Sequence, residues 1–173
     1  MDNLKGNISK AKLLVLTALL FAIALILSIV ENSLPSLGGG IAGVKLGLSN
    51  IAVMYALFFI DKREAFIIAV LKSAFVFITR GPVSALLSFS GGVLSIVVMV
   101  ILIYIYKDRV SYLLLSIFGA VAHNLGQFAV VSLIYTGIYL WFYIPILLIA
   151  GVIAGMATSV LLRFILPALK RLV

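Results

Sequence analysis

Cysteine is absent from this chain and histidine occurs once. Without thiols there is no disulfide, no thiolate metal site and no cysteine nucleophile. Charge is scarce as well. Asp, Glu, Lys and Arg make up 10% of the 173 residues, against roughly 25% in an ordinary soluble domain, which excludes a water-facing globular surface. The acidic residues number five: Asp2, Glu31, Asp61, Glu64 and Asp108. None belongs to a DDxxD pattern, the kind of aspartate cluster that prenyl-transfer and related pyrophosphate chemistry uses to hold Mg²⁺. No G-x-S-x-G elbow accompanies His123, so a serine hydrolase has no support. Gly38-Gly39-Gly40 lacks the G-K-[ST] ending of a phosphate loop. No metal site, cofactor site or catalytic set is legible, and this chain alone is not expected to be an enzyme.

Apolar side chains are abundant. They make up 65% of the chain, with a mean hydropathy of +1.34. A helix crossing a hydrocarbon core needs about 20 predominantly apolar residues, so the length accommodates several spans and no separate soluble domain. Six apolar segments emerge: Leu13–Val30, Leu46–Ile60, Ala65–Thr79, Val83–Tyr106, Val110–Thr136 and Trp141–Leu166. Charged or Pro/Gly-rich stretches separate most of them. The expected fold is therefore all-α, one polytopic membrane domain over residues 1–173 with six transmembrane helices. The second and third segments are short, and at helical rise each covers about 22 Å. A re-entrant pair would account for that length. The link between them, Asp61-Lys62-Arg63-Glu64, argues for two spans instead, because four ionisable residues at the bilayer centre would be very costly. The first segment, preceded by Lys5, Lys10 and Lys12, is longer than a secretory h-region. No small-x-small cleavage site follows, so it reads as a retained helix.

The net charge of +8 fits basic residues at membrane ends better than a nucleic-acid surface. With the N-terminus inside, the cytoplasmic segments hold Lys5, Lys10, Lys12, Lys62, Arg63, Lys107, Arg109, Arg163, Lys170 and Arg171. The outer side holds Lys45 and Arg80, and Lys72 lies within the third span. By this asymmetry both chain ends are expected in the cytoplasm.

Polar groups within spans are costly and each needs a reason. Lys72 falls near the middle of the third segment, with Arg80 two turns later on roughly the same face. His123, Asn124 and Gln127 fall mid-span in the fifth, Asn50 in the outer half of the second, and Ser88 and Ser90 in that of the fourth. Glu31 and Asn32 close the first helix, and the irregular connection that follows, with Pro35 and four glycines, runs to Lys45. These residues collect at the midplane and in the outer half, which suggests a polar cavity opening outward. Hydrogen bonding between helices is the favoured account of Asn50, Ser88 and Ser90, and an equal one for His123, Asn124 and Gln127. Two or three cations facing one carboxylate suit an anionic ligand group, a carboxylate or phosphate. Small residues recur at packing spacing: Ala18 and Ala22; Ser84, Ser88, Gly91 and Ser95; and Gly151 and Gly155. Such stripes let helix backbones approach closely.

Gly43–Asn50 (G-V-K-L-G-L-S-N), Ser88–Gly92 (S-F-S-G-G) and Gly119–Gln127 (G-A-V-A-H-N-L-G-Q) resemble the bacterial Gx transporter family, whose members are often labelled heptaprenyl diphosphate synthase component I. The resemblance covers nearly the whole chain, and the H-N-x-x-Q segment is its most specific part. It implies kinship with the substrate-binding S components of energy-coupling factor transporters. Those are six-helix proteins that capture vitamins and similar micronutrients from outside. They dock on a transmembrane coupling subunit driven by two cytoplasmic ATPases, often through an A-x-x-x-A motif on the first helix, which Ala18 and Ala22 match. The resemblance thus implies solute binding and uptake, for a vitamin, a flavin, or an isoprenoid or quinone precursor. Two other readings stay open: a membrane subunit of a prenyl-diphosphate or quinone-pathway enzyme, and a structural partner in a membrane redox assembly.

Overall fold

A computed structural model describes residues 9–33, 47–106, 110–134 and 138–170. Six α-helices occur in them: α1 (Lys10–Ser33), α2 (Asn50–Tyr55), α3 (Lys62–Arg80), α4 (Pro82–Tyr106), α5 (Tyr112–Ile134) and α6 (Ile144–Lys170). No strand occurs among the described residues. The helices α3, α4, α5 and α6 pack each on the next, while α1 packs on α2 and α3, and α2 also reaches α3 and α6. Four helical stretches are long and apolar enough to cross a membrane: Lys10–Glu31, Pro82–Tyr106, Tyr112–Ile134 and Trp141–Phe164. Their outer faces carry Leu, Ile, Val and Phe side chains, many more than half exposed. The protein is embedded in a membrane.

The second segment differs from its sequence-based expectation. The helix starts at Asn50, after a turn in which Asn50 N–H donates to Gly47 O at 2.8 Å. It continues from Tyr55 as a π-turn over Ala56–Ile60, closed by Asp61 N–H on Ala56 O at 2.9 Å. The result is an apolar helix over Asn50–Ile60 whose residues are buried on every side apart from a partly exposed Phe59. A helix apolar all round belongs in a protein interior, and here it is the central post of the bundle. Asp61 then adopts an extended conformation and its carboxylate accepts Lys62 N–H at 2.8 Å, which starts α3. The third segment gives a helix whose charged ends and central Lys72 keep it from being apolar enough to count among the four.

Gly81 alone joins α3 to α4. Its φ of 85° and ψ of 177° lie in a region open to glycine and strained for other residues. Pro82 opens α4, where its missing N–H costs nothing. The sixth segment begins as a 3₁₀ turn over Ile138–Tyr143 before α6, and that helix runs on through Pro167. The irregular connection with Pro35, Gly38–Gly40 and Lys45, along with Lys5, Lys107, Arg109 and Arg171, lies outside the described residues.

Glycines set the closest approaches. A Cβ at Gly126 would come within 2.7 Å of Ser90 O on α4, and one at Gly151 within 2.9 Å of Val121 Cα on α5. Gly155 sits equally tightly on Ile117 of α5. The Gly151/Gly155 stripe is therefore an internal seam. Ala18 and Ala22 are different: both are exposed on the outer face of α1.

Candidate functional site

A cavity of about 310 Å³ opens where α1 and α3 end and α2 and α4 begin. Ser28 and Glu31 of α1 line it, with Gly47 and Ser49 of the turn before α2. Lys72, Val76 and Arg80 come from α3, Ser84, Leu87 and Ser88 from α4, and His123 and Gln127 from α5. Lys72, Val76 and Arg80 follow one another every fourth residue, so one face of α3 forms a continuous wall. The wall is graded in depth: Lys72 is 7% exposed, whereas Arg80 is exposed at the rim.

Hydrogen bonds hold several of the polar side chains. Lys72 Nζ donates to Asn50 Oδ1 at 2.9 Å, so the first residue of α2 fixes the ammonium at the cavity floor. Glu31 Oε1 accepts the Gly47 N–H, which ties the end of α1 to the turn before α2. Gly47 has a φ of 69°, which turns the chain there. Gln127 Nε2 stands 3.1 Å from His123 Nε2. The donor and acceptor roles in this contact depend on the tautomer of the imidazole. Gln127 Oε1 is buried and has no hydrogen-bond partner among the described residues. Ser73 Oγ donates to Ala69 O at 2.8 Å and lies 3.5 Å from Ser88 Oγ, joining α3 to α4 beneath the cavity.

Of the residues singled out from sequence, Glu31, Lys72, Arg80, His123 and Gln127 line this one space, and Asn50 stands behind Lys72. Asn124 does not line it. Its Nδ2 donates to Leu147 O of α6 at 3.1 Å, so it is a strut between α5 and α6. Helical geometry explains the split: Asn124 is one residue round from His123, whereas Gln127 is one full turn on. Ser90 likewise turns away and bonds Leu87 O at 3.2 Å. Lys45 and the Asn32 side chain lie outside the described residues. Sequence reasoning passed over Ser28, took in Gly47 and Ser49 only within the Gly43–Asn50 stretch, and noticed Ser84 only as a packing residue. Ser28 stood one turn before Glu31 on the same face, which was the available signal.

Chemically, the lining offers two cations and a single carboxylate around polar donors and acceptors. Among the described residues, no three His, Cys, Asp or Glu side chains group as they would around a metal. Asp61 caps α3 and Glu64 Oε2 accepts the Thr17 hydroxyl of α1 at 2.9 Å. At the opposite end the post is sealed by rings, with Phe58 edge-on to Tyr112 at 5.3 Å and Tyr55 against Phe59 at 4.9 Å.

A family model described as heptaprenyl diphosphate synthase component I matches residues 20–165. That stretch takes in every residue that lines the cavity. No curated protein and no solved structure matches the chain.

Proposed function

The chain belongs to the heptaprenyl diphosphate synthase component I family, and on that premise we propose that it is a six-span membrane protein binding a small anionic solute for uptake. In this reading both ends are cytoplasmic and the cavity faces outward. The observation that carries it is the cavity itself, about 310 Å³ with Lys72 at its floor, Arg80 at its rim and Glu31 as its one carboxylate. Ligand pockets run from about 300 to 1,000 Å³, so this one suits a compact molecule. Its volume equals that of roughly ten waters. A heptaprenyl chain is much too long to be enclosed.

A carboxylate or phosphate on the solute would take Lys72 and Arg80, and a donor group would meet Gln127 Oε1. The bacterial cytoplasmic membrane is the proposed location. Energy coupling would follow the energy-coupling factor pattern, with a transmembrane subunit and two ATPases docking on the exposed Ala18/Ala22 face of α1. No catalytic step is assigned to the chain, because its described carboxylates are engaged in capping and interhelical bonds.

The family's name favours a second reading, a non-catalytic membrane subunit of a heptaprenyl diphosphate synthase. Native mass spectrometry of the protein purified from its own membrane separates the two. A small anion bound one per chain, and missing from Lys72→Met, is the expected outcome. Recovery of an aspartate-rich soluble synthase with no small molecule would overturn uptake in favour of the subunit role.

A further inference from the structure

A second concavity lies on the outside of the bundle, far from the solute cavity. It is a groove of about 580 Å³ between α3 and α4, and its accessible lining is apolar. Phe66 and Ile67 of α3 and Val97 and Ile101 of α4 form its walls, all of them exposed by more than a third. Lys62 and Arg63 stand at its edge, and no acidic residue lines it.

The hairpin through Gly81 fixes the depth of each residue. Counted out from Gly81, Lys62 is level with Val100, and Phe66 with Ile96. The cations therefore sit at one end of the groove, and the apolar walls run from there towards the middle of the membrane. The neighbouring acids are turned to other tasks. Asp61 accepts Lys62 N–H, and Glu64 reaches across to Thr17 of α1. Moreover, cations in a helix's first turn work against the macrodipole, so Lys62 and Arg63 do not stand there to stabilise α3. A cytoplasmic turn would by itself account for basic residues. It would not account for an apolar furrow opening directly beside them.

We propose that this groove is a binding site for one anionic phospholipid, its phosphate on Lys62 and Arg63 and an acyl chain lying between Phe66, Ile67, Val97 and Ile101. The complementarity is that of an amphiphile, charge at one end and hydrocarbon along the rest. Arginine beside lysine suits a phosphate, which accepts paired N–H bonds from the guanidinium. The site is independent of the solute reading and shares no residue with that cavity.

The test uses the full chain in nanodiscs of equal phosphatidylglycerol and phosphatidylcholine with identical acyl chains. Lipid retained after mild detergent release is read by native mass spectrometry. The wild type is expected to keep phosphatidylglycerol over phosphatidylcholine by roughly tenfold. Lys62→Gln with Arg63→Gln should erase that preference without lowering the melting temperature. Val97→Trp fills the furrow and keeps both charges, and should lose both lipids; Ile101→Trp replaces it if Val97→Trp does not fold. Persistence of the preference in the double variant overturns the proposal. So does wild-type retention in the folded tryptophan variant, which would mean surface electrostatics alone. Release by excess inorganic phosphate would likewise overturn it, because the headgroup charge would then suffice without the groove.

Discussion

Lysine at mid-helix in a membrane is expensive, with even the lower insertion estimates near 2.5–3.5 kcal/mol. Lys72 is 7% exposed within the bundle, and its ammonium is positioned by Asn50 at 2.9 Å. In a purely structural role, removing the charge would break the link to Asn50 and destabilise the bundle. In a binding role the link serves to aim the ammonium, and the loss falls on the solute. Lys72→Met keeps most of the side chain's length. We expect a folded, equally or more thermostable protein whose affinity for its co-purified anion drops at least tenfold, about 1.4 kcal/mol. Unchanged binding, or an unfolded protein, would remove Lys72 from the site. Asn124→Ala is the contrasting case. It leaves the buried Leu147 carbonyl without its side-chain donor, so we expect a stability loss of about 1–3 kcal/mol with anion affinity kept. The cost of intramembrane charge made Lys72, Arg80 and His123 legible in the sequence. The i, i+4 spacing put Gln127 on the face of His123, whereas the turning of Asn124 to α6 was not legible, since it depends on the packing of α6 on α5.

At the scale of elements, segment boundaries followed hydropathy well for α1, α4 and α5, where apolar runs end at charged or glycine-rich stretches. The second element was misjudged in length. Its apolar run reads like a lipid-exposed span, yet hydropathy does not distinguish burial in lipid from burial in protein. Leu46 lies outside the described residues, and Gly47–Ser49 form a turn. Small-residue stripes were equally ambiguous in sequence, and the structure separates them. Gly155 faces Ile117 of α5 with no room for a Cβ. Gly155→Val should therefore force α5 and α6 apart and lower stability by about 1–3 kcal/mol, read as a fall in melting temperature in detergent. An unshifted melt would mean the seam is loose. Ala18 and Ala22 instead face outward on α1, and tryptophan at both positions should leave the fold and anion binding intact. If α1 docks a coupling subunit, the same double variant abolishes its recovery in pull-downs and stops uptake. Uptake that survives both tryptophans would rule out that docking face.

For the whole molecule, the arrangement sets a polar end against a sealed end. Glu31, Arg80 and Ser84 gather at the first, around the cavity; the second holds the Tyr55, Phe58, Phe59 and Tyr112 rings and the turn carrying Lys62 and Arg63. Such polarity suits capture from one side of a membrane, provided the cavity faces outward. Orientation rests on the lysine and arginine bias, which draws basic loops to the cytoplasm. Because the chain has no cysteine, single cysteines report their side without interference. Ser33 is exposed at the end of α1 beside the cavity, and Lys62 is exposed at the opposite end of the bundle. A membrane-impermeant maleimide applied to intact cells should label Ser33→Cys, and should label Lys62→Cys only after permeabilisation. Labelling of Lys62→Cys in intact cells would turn the molecule over. The cavity would then open to the cytoplasm, and a role in capturing solute from outside would be lost even if the site still bound an anion.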